Sequence, residues 1–158
     1  MADTTAEPGR GDVDRNLAML GYALLFVSVL FAGMPGLIAV VIAYAQRDVA
    51  DPAVRSHYNF QIRIFWVALV LTLIAALSAL GAVAVGLGQL IDIGIHQQWD
   101  AWDTVSFQAS DIQLDPAIVV LLGIAALSSL AAALWLMVAP IVGFIRLASR
   151  RGMGDRAA

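Results

Sequence analysis

The sequence predicts an all-α fold, a polytopic transmembrane helical bundle, and three observations carry that expectation. Long runs of the chain hold no charge at all. Proline and glycine open or interrupt those runs. The charges that remain are sorted by sign into different segments. The chain is 61% hydrophobic and 13% charged, against about 25% charged residues in a soluble domain. Leu17 to Gln46, Ile64 to Ile91 and Ala117 to Ile145 contain no Asp, Glu, Lys, Arg or His. An apolar run of roughly 18 residues is enough to suggest a membrane span. One such run can be a buried core helix, but three in so short a chain leave too little polar surface to cover them.

Residues 1–16 are small, polar and charged, with Pro8, Gly9 and Gly11, and are expected to be a disordered tail. Acidic residues beside Arg10 and Arg15, and no small-residue cleavage site, argue against a cleaved signal peptide. Residues 17–46 make a run of about 45 Å if continuously helical, longer than the ~30 Å hydrocarbon core. Gly33-Met34-Pro35-Gly36 interrupts it, because proline lacks a donor and disfavours helix in the residue before it. Two readings follow: one kinked span, or a hairpin of short helices over 17–32 and 35–46.

Asp51-Pro52 supplies an acidic N-cap and a proline in the first turn, opening a helix expected over 52–88. Its first turns, through Asn59, are placed at the membrane surface, with Arg63 at the boundary. Residues 89–115 read as an external loop with Asp92, Asp100, Asp103, Asp111 and Asp115 but no basic residue. In it Trp99 and Trp102 are expected as interfacial anchors. Asp115-Pro116 repeats the helix-opening device for a last helix over 116–147, and residues 150–158 form a loose basic tail.

All nine basic residues are arginines. They cluster at 10–15, 47–63 and 146–156. Short basic loops stay in the cytoplasm, which puts the connection 47–63 and the C-terminus inside and the 89–115 loop outside. The tail with Arg10 and Arg15 also falls inside, and this favours the hairpin.

Pro35, then His57, Asn59, Phe60 and Gln61 at the start of an aromatic and apolar helix, with the basic end at Arg146 to Arg151, resemble a bacterial family of small membrane proteins. That family is related to the Tic-type channel component of the chloroplast protein-import machinery. The resemblance implies a compact bundle of helices in a bacterial inner (plasma) membrane. Its bacterial members are largely of unknown function, and import activity is not carried over. This chain departs from the family in its Trp-rich loop and in having Arg47 and Arg55 in place of a lysine-rich first connection.

The candidate polar cluster is Arg55, His57, Asn59, Gln61 and Arg63. His57 and Gln61 share one helix face; Arg55, Asn59 and Arg63 lie approximately together on another. The cluster reads either as a cytoplasmic mouth touching lipid phosphate or a partner, or as a set of side chains bridging to the neighbouring hairpin. His96 with Asp92 and Asp100 is a weak metal set without a second His or a Cys. Ser128 and Ser129 have no base nearby. Ala75, Ala79 and Val83, and Ala125, Ser129 and Ala133, mark slender faces for close helix approach. Absent cysteines exclude thiolate chemistry and disulfides. No nucleotide, phosphate-loop or metalloprotease motif is present.

The expectation is therefore a non-enzymatic membrane protein, without cofactor, metal or nucleic-acid partner. It acts in the lipid bilayer as a scaffold or accessory subunit, as a homo-oligomer or in a larger complex. The alternative is a channel-like or lipid-handling protein with its mouth at His57, Gln61 and Arg63.

Overall fold

A computed structural model describes residues 9–31, 33–96, 115–149 and 151–153. Among the described residues the fold is all-helical, with four helices and no strand: α1 (Arg10–Val27), α2 (Met34–Gln46), α3 (Pro52–His96) and α4 (Pro116–Ala148). The Gly/Pro break thus separates two helices that pack against each other, a hairpin and not one kinked span.

Two boundaries differ from the sequence expectation. The tail assigned to disorder is helical from Arg10. Gly9 leaves the helix in extended backbone and its carbonyl accepts from Asp12 N at 2.8 Å. Asp12 in the first turn complements the helix dipole and lies 3.6 Å from Arg15 one turn on. At the other end α3 runs on to His96, into the segment expected as external loop. Gly86 and Gly88 weaken a helix but do not end it, and no proline follows before Pro116. Trp99 and Trp102 lie outside the described residues.

The turn between α1 and α2 is built from local bonds. Ser28 Oγ donates to Leu25 O, and Gly33 N donates to Ser28 O at 2.9 Å. Gly33 sits at φ 84°, a left-handed conformation that glycine adopts without the Cβ penalty. Pro35 then occupies the first turn of α2, where its missing N–H costs nothing. Gly36 faces Ser28 and the Phe65 ring; a Cβ there would lie 3.4 Å from Ser28 Cβ. Asp115 caps α4 through its side chain, Oδ1 accepting from Ala117 N at 2.8 Å.

The chain divides into two compact units. The first holds residues up to Val70 together with those from Ala132 onward: α1, α2, the start of α3 and the end of α4. Its core is Ala18, Tyr22, Leu25, Ala39, Ala43, Tyr58, Ile64, Ala139 and Leu147. Among the described residues the second, Leu71–Ala131, holds the end of α3 and the start of α4. There Leu121 packs on Gly81, and Ile118 on Gly86.

Within the chain, burial follows a different stripe from the slender faces marked in the sequence. The buried positions along α3 include Gln61, Ala68, Ala75 and Ala82, seven residues apart, and those along α4 include Ile118, Ala132 and Ala139, in the same register. Val83 and Ser129, expected on those faces, are exposed, and Ala79, Ala125 and Ala133 are only half-buried. The reason is geometric. Four residues advance an α-helix by about 400°, so a four-residue stripe turns away from its neighbour at each step, whereas a seven-residue repeat drifts by only about 20°.

α3 and α4 are long and apolar enough to cross a membrane by length and composition. Only 17% and 11% of their most apolar stretches are buried. A core helix of a soluble protein has the opposite character.

Candidate functional site

The start of α3 repeats a pattern of three and four: His57, Tyr58, Gln61, Ile64 and Ala68 point inward, while Arg55, Asn59, Arg63 and Trp66 point out. The helix therefore splits the five-residue polar cluster in two. His57 is 1% exposed and Gln61 is fully buried, and both are held by the other helices of the first unit.

His57 stands between α1 and the C-terminal segment. Its Nε2 lies 2.8 Å from the Arg151 carbonyl. A carbonyl only accepts, so Nε2 carries the proton. In the neutral ring Nδ1 is then an acceptor, and Tyr22 OH donates to it at 3.0 Å. A longer approach of 3.4 Å gives the same hydroxyl a second acceptor in the His57 carbonyl. The Tyr22 and His57 rings meet edge to face at 5.9 Å between centroids. Next to His57, Ser56 Oγ donates to Ala53 O at 2.6 Å and accepts from Met153 N at 3.0 Å. The two residues thus fasten the segment 151–153 to the first turns of α3.

Two further bonds tie α3 to α1. Tyr58 OH donates to Asp14 O at 3.1 Å, and Gln61 Nε2 donates to Ala18 O at 2.7 Å. Gln61 Oε1 is buried without a hydrogen-bond partner. The amide can lie this close to α1 only because residue 21 is glycine: a Cβ there would come within 3.0 Å of the Gln61 amide atoms. Gly143 does the same for Tyr22, since a methyl at 143 would clash with the hydroxyl-bearing edge of the tyrosine ring. From α4, Trp135 Nε1 donates to Ile64 O at 3.2 Å.

The outward half is a solvated or interfacial surface. Arg55 reaches Asp48 at 3.3 Å, and Arg47 approaches the same carboxylate at 3.5 Å. Arg47 also lies 5.1 Å from the centre of the Tyr44 ring, whose hydroxyl accepts from Trp66 Nε1 at 3.1 Å. Exposed ion pairs of this kind contribute about 0–1 kcal/mol each.

The residues that build the inner half were partly missed in the sequence. Tyr22, Tyr58, Gly21 and Gly143 were not singled out. The legible signal was a tyrosine within a charge-free run, whose hydroxyl must find a partner. Among the described residues no group of three His, Asp or Glu side chains comes together. Asp100 and the His96 side chain lie outside the described part. The arrangement holds the helices together.

No family model matches the chain, and neither does a curated protein or a solved structure.

Proposed function

We propose that this chain is an integral inner-membrane protein whose α3 and α4 span the bilayer, and that it works as a non-enzymatic scaffold or accessory subunit. The observation that carries the reading is the exposure of α3 and α4: only 17% and 11% of their most apolar stretches are buried. Leu73, Leu77, Leu80, Leu122, Leu127 and Leu130 are among the side chains left outside. Lipid or partner helices supply the missing cover at no cost to hydrogen bonding, because a helix satisfies its own backbone.

The charge pattern supports the orientation. The described arginines all belong to the first unit, and Leu71–Ala131 contains none. The basic end is therefore cytoplasmic and the acidic connection external. The hairpin brings the start of α1 to that same end, as do the bonds of Tyr58 to Asp14 and of His57 to Arg151.

A channel needs polar side chains along a wet path. His57 and Gln61 are instead buried among the helices, and His57 is bonded at both ring nitrogens. This favours the scaffold over a channel-like mouth at His57, Gln61 and Arg63. A distant relation to the Tic-type family belongs to the same proposal, resting on Pro35 and the motif from His57 to Gln61.

Alkaline extraction of cell membranes tests insertion: the chain stays in the pellet and dissolves only with detergent. Release into the alkaline supernatant overturns the reading. Because the chain has no cysteine, Thr5→Cys reports sidedness; it escapes an impermeant thiol reagent in intact cells and reacts after lysis. Crosslinking at native expression level then separates a scaffold, which gives a defined larger species, from a lone monomer, which contradicts it.

A further inference from the structure

We propose that the groove between α1 and α4 in the first unit binds one acyl chain of an anionic phospholipid, with the lipid phosphate on Arg15 and Arg151. The inference rests on the membrane reading above and goes beyond it by naming a site and a ligand class. The groove has a volume of about 190 Å³ and is lined by Tyr22, Ala23, Phe26, Pro140, Ile141 and Phe144. Tyr22 and Pro140 are buried and form its floor; Ala23, Phe26, Ile141 and Phe144 are exposed and form its walls. Its lining is almost wholly apolar, so it suits a hydrocarbon chain and offers nothing to a polar solute.

The two walls lead to cations at the same end. α1 and α4 run antiparallel here: Tyr22 lies on Gly143, and its hydroxyl reaches Arg151 through His57. Arg15 lies seven residues before Tyr22, two helical turns or roughly 10 Å nearer the basic end, and on the same face of α1. Arg151 lies seven residues beyond Phe144, just past the end of α4. Its backbone is fixed by the Arg146 and His57 bonds while its side chain is exposed. Arg15 carries a buried Nε without a hydrogen-bond partner. Its terminal nitrogen makes only a long, half-exposed approach of 3.6 Å to Asp12, which a phosphate oxygen would replace. Arginine holds phosphate through two parallel donors. Hydrocarbon slot and cationic rim together match a headgroup of net negative charge and not a zwitterionic one, whose ammonium would face the same arginines.

The test uses the full chain purified in mild detergent and loaded with phosphatidylglycerol or phosphatidylcholine of identical acyl chains. Native mass spectrometry counts the lipid retained. Wild type keeps phosphatidylglycerol in preference to phosphatidylcholine. The double variant Arg15→Gln, Arg151→Gln loses that preference by about tenfold or more, the usual effect of charged hydrogen bonds. Ala23→Phe, which fills the groove from its exposed wall, weakens retention of both lipids with the arginines intact. Arg47→Gln, whose guanidinium pairs with Asp48 and lies over Tyr44, leaves retention as in wild type. Excess inorganic phosphate does not displace the lipid. Equal retention of the two lipids, full retention by the double arginine variant, or no effect of Ala23→Phe each overturns the proposal. Membrane residence on alkaline extraction is scored for every variant. A chain that stays inserted but shows no lipid preference refutes this site alone, whereas a chain that is extracted refutes the membrane reading beneath it.

Discussion

The first unit joins its helices by side-chain hydrogen bonds to main-chain carbonyls: Tyr58 to Asp14, Gln61 to Ala18, His57 to Arg151 and Trp135 to Ile64. In the second, Leu121 and Ile118 of α4 pack on Gly81 and Gly86 of α3, and Ala75 and Ala82 of α3 are buried. Where four helical segments gather, polar bonds can be shielded on all sides and fix one register. Between the two described helices of the second unit, close approach at glycine is the observed contact. The comparison teaches that the two halves of α3 follow different packing chemistry along one continuous seven-residue repeat.

Five substitutions test that contrast. Gly143→Val is expected to be the most damaging, at about 3 kcal/mol or more, because the new side chain occupies the Tyr22 ring and the whole Tyr22–His57 junction must move. Thermal unfolding in detergent should fall accordingly, and an unchanged midpoint would break the account of the first unit. His57→Ala comes next, at about 2 kcal/mol, since it removes a donor from Arg151 and the nearer acceptor from a buried hydroxyl. It should also free residues 151–153, which faster carboxypeptidase trimming would report. Ala82→Leu in the second unit is expected to cost about 1–2 kcal/mol by overpacking the seam, while Ala84→Leu, on the exposed side, changes stability by less than about 0.5 kcal/mol. Equal effects of the pair would mean that the seven-residue seam is not what joins these helices. Gly33→Ala is expected to cost about 1 kcal/mol, for a left-handed residue with open space around it.

Much of this architecture could be read directly. The charge-free runs, the Gly33–Pro35 break and the two Asp-Pro pairs announced four helices, and the arginine clusters at Arg10, Arg15, Arg47 and Arg55 pointed to the hairpin. The face shared by His57 and Gln61 was legible from their spacing. Which partners they would meet was not, because a bond such as His57 to Arg151 spans most of the chain and leaves no local pattern. Gly143 illustrates the limit. Nothing in its neighbourhood distinguishes it from Gly123, yet one lies against a tyrosine ring and the other faces open space. The seven-residue spacing of Gln61, Ala68, Ala75 and Ala82 has no local signal, since such a repeat shows only over the whole length of the helix.

The central claim is that hydrocarbon covers the apolar flanks of α3 and α4. A nitroxide placed at Leu77→Cys, a position 68% exposed in a cysteine-free chain, reads it directly in reconstituted vesicles. Collisions with oxygen, which concentrates in lipid, should far exceed those with a water-soluble nickel chelate. Relaxation dominated by the nickel chelate would place Leu77 in water and contradict the account.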